Sequence, residues 1–119
     1  TFFLGRNNYA DGRKMVDMGC QVALATDFNP GSSTLQSMPF IISLAVLYCG
    51  LTIEEAFVGA TFNGAKALNR EKKMGAIHKG YKANLLFWDI ESIEEIPYWL
   101  GSDRIVNVMK EGKIIYENQ

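Results

Sequence analysis

The stretch Val22-Ala23-Leu24-Ala25-Thr26-Asp27-Phe28-Asn29-Pro30-Gly31-Ser32-Ser33 constrains this chain more than any other. A short apolar run meets a carboxylate, then a cluster of Asn, Pro, Gly and Ser. The run reads as a buried strand and the cluster as the turn that ends it. A carboxylate at the C-terminal end of a barrel or open-sheet strand lies where α/β enzymes gather their chemistry. The plainer alternative is that Asp27 closes its own turn through an Asx hydrogen bond, a commonplace in loops. The residues alone leave both readings open.

The 119 residues suffice for one small domain with a core, and 48% hydrophobic against 21% charged residues is globular composition rather than disorder. A net charge of -1 removes the electrostatic case for nucleic acid or an anionic membrane as partner. Cys20 and Cys49 are widely spaced and fit a reduced, cytoplasmic setting, where they pack as small hydrophobes. The apolar run from Met38 to Cys49 is too short for the roughly 20 residues of a membrane span. It reads as a helix packed on several neighbours, N-capped by Ser37. The chain opens on Thr1, without Met, inside what reads as a strand tail over Phe2 to Leu4. It is therefore expected to be part of a longer protein.

Further elements follow from local chemistry. A short helix spans Ala10 to Met18, with Gly19 as its stop. Thr52 and Glu55 form a capping-box pair that opens a helix running to Leu68 and Asn69. A charged connector, Arg70 to Lys73, leads into a β-like half. There Gly75 to Ile77 and Leu85 to Asp89 read as strands, and Ser92 to Glu95 as an acidic surface turn. Ile105 to Met109 and Lys113 to Tyr116 read as a hairpin joined at Glu111-Gly112.

Few side chains compete for a chemical role. His78 is the single histidine and sits in a turn. Ser32 and Ser33 lack a nucleophile-elbow pattern, and no Gly-rich phosphate loop is present. Trp88, Tyr98 and Trp99 read as packing aromatics. Asp27 remains, and one carboxylate does not hold a catalytic metal that takes about three protein ligands.

The segment from Ala25 to Ser33 resembles the signature after the eighth barrel strand of the imidazolonepropionase family, within the amidohydrolase superfamily. Leu51 to Ala56, Ala60 to Leu68, Gly75 to Ile77 with Gly80, Ala83 to Asp89, Ile96 to Tyr98 with Gly101, and Val108 to Gly112 extend the likeness over nearly the whole chain. Asn84 departs from it, standing where the superfamily has Asp. The family's His-x-His pair and its further histidine have no counterpart here.

The resemblance implies an α/β fold: the C-terminal part of a metal-dependent-hydrolase (β/α)8 TIM barrel plus the closing strands of a composite β-sandwich domain. Residues 1–69 would be the last two βα units and 70–119 the β-sandwich part. It implies hydrolysis of 4-imidazolone-5-propanoate to N-formimidoyl-L-glutamate with one Zn or Fe ion. Asp27 would be a metal ligand and the catalytic proton acceptor, and Asn29, Gly31 and Ser32 would bind substrate. The full-length enzyme could pair as a homodimer. Two other readings stand beside this one: a deaminase or hydrolase of another cyclic amidine or amide on the same fold, and a catalytically inert fragment. Two βα units do not close a barrel, so exposed strand edges and poor stability are expected of the isolated chain.

Overall fold

The computed structural model describes residues 1–118. Among the described residues five helices precede or interrupt a three-stranded sheet: α1 (Gly12–Asp17), α2 (Met38–Tyr48), α3 (Ile53–Ala60), α4 (Phe62–Ala67), β1 (Leu85–Trp88), α5 (Glu95–Tyr98), β2 (Ile105–Lys110) and β3 (Lys113–Glu117). The starts of α1, α2 and α3 are written in their caps. Asp11 accepts the Lys14 N–H and opens α1, and Ser37 accepts the Phe40 N–H at α2. At α3 the capping box is reciprocal: Thr52 Oγ1 accepts from the Glu55 N–H, and Glu55 Oε2 from the Thr52 N–H.

The expected strand Val22 to Thr26 is an extended segment outside any ladder. A strand needs a neighbour to exchange backbone hydrogen bonds with. Here the partner is a helix: Leu24 N–H donates to the Gly59 carbonyl in the last turn of α3 at 3.0 Å. Asn63 Nδ2 donates to the Val22 carbonyl at 2.9 Å. A Cβ on Gly59 would lie 3.1 Å from Leu24 Cγ and 3.2 Å from the Val22 carbonyl oxygen, so the missing side chain is what lets α3 lie on the run. The pleat survives in the burial pattern. Val22, Leu24 and Thr26 are half-buried, while Ala23, Ala25 and Asp27 are exposed.

Four more expectations are corrected. Phe2 to Leu4 form a turn closed by Gly5 N–H on the Phe2 carbonyl, not a strand tail. The helix from Thr52 is broken at Thr61 (φ -120°, ψ -89°) instead of running to Leu68. Thr61 Oγ1 takes the Phe57 carbonyl at 2.8 Å, the acceptor that a continuing helix would give to the Thr61 N–H, and that N–H turns to Val58. Gly75 to Ile77 forms no strand, whereas the acidic turn expected at Ser92 to Glu95 is present and its last residue opens α5, whose Ile96 is buried. On α2 the face of Ile42, Ser43 and Ala45 is buried, but Leu47 and Tyr48 are exposed, so this helix is not covered all round.

The hairpin is as expected. β1, β2 and β3 pair antiparallel in that order, with Leu85 opposite Met109 and Val108 opposite Tyr116. Glu111 (φ 49°) and Gly112 (φ 81°) both take the left-handed conformation that a two-residue type I′ hairpin requires. Asn84 Oδ1 accepts the Glu111 N–H at 2.8 Å, tying the approach to β1 to that turn. The core joins Ile42 and Ala45 of α2, Leu51, Ala56 of α3 and Ile96 of α5. The buried Ser43 hydroxyl reaches the Pro39 and Pro97 carbonyls and links α2 to α5.

Candidate active site

The turn after the extended run is built around Asn29. Its Oδ1 accepts the Gly31 N–H at 2.9 Å and the Ser32 N–H at 2.7 Å, and its Nδ2 donates to the Asp27 carbonyl at 2.7 Å. The Asn29 and Ser33 backbones exchange two hydrogen bonds across the loop. The Asx turn expected of Asp27 is therefore made two residues later, and the Asp27 carboxylate enters none of these bonds. Asp27 itself is exposed and lies in the left-handed region at φ 50°, which among residues with a Cβ is best tolerated by Asn and Asp. A Cβ on Gly31 would stand 3.3 Å from Asn29 Oδ1, so the glycine leaves room for the amide under the turn.

A cavity of about 280 Å³ opens at the C-terminal end of the run, with Asp27, Ser32 and Ser33 on one side and Leu24, Ile41 and Leu44 among its apolar walls. Asp27 and Ser32 both line this space, whereas Asn29 and Gly31 do not. Both ends of the Asn29 amide are engaged within the loop.

Among the described residues no three His, Cys, Asp or Glu side chains converge as a metal site. Asp27 offers one carboxylate, and the donor set of this chain does not make a metal centre by itself. His78 is exposed in its own loop, with Nδ1 2.9 Å from the Lys79 carbonyl and its ring 5.0 Å from that of Tyr81. Cys20 is exposed rather than packed, and burial raises the thiol pKa of Cys49. Tyr98 is exposed as well, while Trp99 carries the Arg104 guanidinium 4.3 Å above its ring and donates to Glu95. Ser33, which lacks a nucleophile-elbow pattern in the sequence, has as partner a backbone carbonyl seven residues away, which no side-chain pattern marks.

Residues 4–115 match the model of the amidohydrolase family. The chain belongs to the amidohydrolase family. This amidohydrolase-family chain is 43% identical to an imidazolonepropionase of Kosmotoga olearia over 116 residues, 98% of its own length and 28% of the relative's. It is 41% identical to an imidazolonepropionase of Porphyromonas gingivalis over 118 residues, covering 99% of the chain and 28% of that protein. The chain thus spans little more than a quarter of the curated relatives it matches. A crystal structure of an amidohydrolase from Thermotoga maritima superposes with a TM-score of 0.73 at 24% identity, over 90% of this chain and 26% of that one. That likeness establishes the fold: a portion of an amidohydrolase of the TIM-barrel type. No helix among the described residues is long and apolar enough to cross a membrane.

Proposed function

We propose that the protein carrying this chain is an imidazolonepropionase, hydrolysing 4-imidazolone-5-propanoate to N-formimidoyl-L-glutamate. The single observation behind this reading is identity of 41–43% to proteins of that name, maintained over at least 98% of the chain. Residues 1–69 are the last two βα units of the barrel, and 70–119 contribute β1 to β3 as closing strands of a β-sandwich. The setting is the cytoplasm, and the assembled enzyme is a homodimer.

In this reading Asp27 is the catalytic carboxylate. Its Oδ takes a proton from the attacking water as the new C–O bond forms at the ring carbonyl carbon. It returns that proton to the ring nitrogen as the C–N bond breaks, serving as base and then acid. A carboxylate free of hydrogen bonds from its own turn, on a residue that lines a cavity, suits that exchange. Asn29, Gly31 and Ser32 form the substrate-binding turn. Ser32 lines the cavity with its hydroxyl resting on the Asn29 amide, and Asn29 and Gly31 set the backbone that presents it. A Zn or Fe ion belongs to the same reading, with Asp27 as one ligand and the others supplied from outside these residues.

The test is Asp27→Asn in the intact enzyme. The substitution keeps the shape and removes the proton acceptor, so turnover is expected to fall at least about a hundredfold. Near-wild-type ring opening would end the assignment.

A further inference from the structure

Asp27 is the one residue between Gly19 and Gly50 that combines a carboxylate with a left-handed backbone. A conformation that costs energy persists only where its surroundings over-determine it. The peptide units on both sides of Asp27 are held. Its own carbonyl accepts from Asn29 Nδ2 at 2.7 Å. The preceding carbonyl, that of Thr26, accepts from Ser33 Oγ at 3.1 Å. Ser33 is itself anchored, since its backbone exchanges two hydrogen bonds with Asn29, at 2.7 and 3.3 Å. Its hydroxyl therefore closes an eight-residue loop from Thr26 to Ser33, and Thr26, Asp27 and Ser33 all line the cavity.

We propose that Ser33 is a positioning residue: its hydroxyl on the Thr26 carbonyl fixes the peptide before Asp27 and thereby sets where the carboxylate stands in the cavity. This deepens the reading of Asp27 as the catalytic carboxylate and rests on it. Ser33 does not act on substrate, because its one hydroxyl proton is committed to Thr26. Misplacing a catalytic group by about 1 Å costs up to a hundredfold in rate without weakening the substrate's other contacts.

The experiment compares Ser33→Ala, Ser33→Cys and Ser33→Thr in the intact enzyme, by steady-state kinetics and by crystal structures of the variants. Ala removes the donor, Cys keeps the size with a weak donor, and Thr restores the hydroxyl. Ala and Cys are expected to lower kcat about tenfold with KM within twofold, and Thr to recover most of kcat. Their structures are expected to show Asp27 out of the left-handed region or its carboxylate displaced. If Ala does not fold, Cys carries the same comparison. An unmoved Asp27 in the Ala or Cys structure overturns the proposal whatever the rates, as does a rise in KM at constant kcat, which would make Ser33 a substrate contact. Should the wild-type enzyme not open the imidazolone ring, the substrate reading fails, and the variant structures still decide the role of Ser33.

Discussion

Arg13 grips Glu55 with two parallel hydrogen bonds, Nη1 to Oε2 at 2.8 Å and Nη2 to Oε1 at 3.0 Å. The pair joins α1 to the first turn of α3, and the same Oε2 closes the capping box on the Thr52 N–H. A bidentate guanidinium–carboxylate pair is directional as well as attractive. Two helices separated in sequence by α2 are thus set against each other by the residue that starts one of them.

Acidification is expected to undo this link. The Arg13 hydrogen bond, with help from the Thr52 N–H, holds the Glu55 pKa below its ordinary value. The stability it contributes is present above the unfolded carboxyl value of about 4.3 and is lost as pH falls through the depressed folded value. Glu55→Gln should therefore lower the urea midpoint at pH 7, and the gap to wild type should close toward pH 3. A gap that stays constant over that range would show that the charge is not what matters.

Within the turn, Ser32 and Asn29 should fail differently. Ser32→Ala removes one hydroxyl from the cavity edge and is expected to raise KM about fivefold, the worth of one neutral hydrogen bond, with kcat nearly unchanged. Asn29→Ala releases the Gly31 and Ser32 N–H groups and the Asp27 carbonyl together. It should lower kcat as well as kcat/KM. Matching kinetic profiles for the two variants would remove the distinction between a contact residue and the residue that builds the turn.

Gly75 is expected to resist substitution on two grounds. Its φ is 93°, and an added Cβ would fall 2.7 Å from Ala65 Cβ and 3.1 Å from both Phe62 Cα and the Thr61 carbonyl oxygen. Gly75→Ala should cost about 2–4 kcal/mol in urea unfolding from overpacking and backbone strain combined. Gly80 has a similar φ of 91° with open space around it, so Gly80→Ala should cost only about 1 kcal/mol. Equal losses at the two positions would rule out the close approach of the Gly75 segment to α4.

Asn84→Asp should be nearly silent. The side-chain oxygen accepts the Glu111 N–H at the hairpin turn, and an aspartate offers the same acceptor. A change within about 0.5 kcal/mol is expected, as for most exposed substitutions. Asn84→Ala, which removes the acceptor, should cost about 1 kcal/mol by thermal or urea unfolding. A larger loss for Asp than for Ala would mean that the amide nitrogen is required.

Much of the local structure was legible. Ser37, the Thr52/Glu55 box and the Glu111-Gly112 turn mark their elements because each cap or turn is satisfied by partners within a few residues. Asp27 stands out in the sequence as a carboxylate after an apolar run, and in the structure it lines a cavity. The turn around it forms on a different residue from the one the sequence offers: Asn29, not Asp27, supplies the Asx oxygen. Both residues have the chemistry for that role, and sequence spacing does not choose between them. The break at Thr61 was hidden for a similar reason, since a threonine hydroxyl mid-helix can point to solvent or take a carbonyl from the helix itself.

The sequence alone therefore determined the caps, the hairpin turn, the apolar run and the family likeness, all of which depend on residue types at short spacing. Tertiary structure decided three other things: that the Leu24 N–H goes to the Gly59 carbonyl of a helix rather than to a strand, that Asp27 sits at φ 50°, and that Asp27 and Ser32 line one cavity while Asn29 does not. The physical reason is the reach of each interaction. A cap is satisfied by its own neighbours, but an extended backbone offers the same N–H and C=O groups to any partner, and only the packed chain brings one of them within 3 Å.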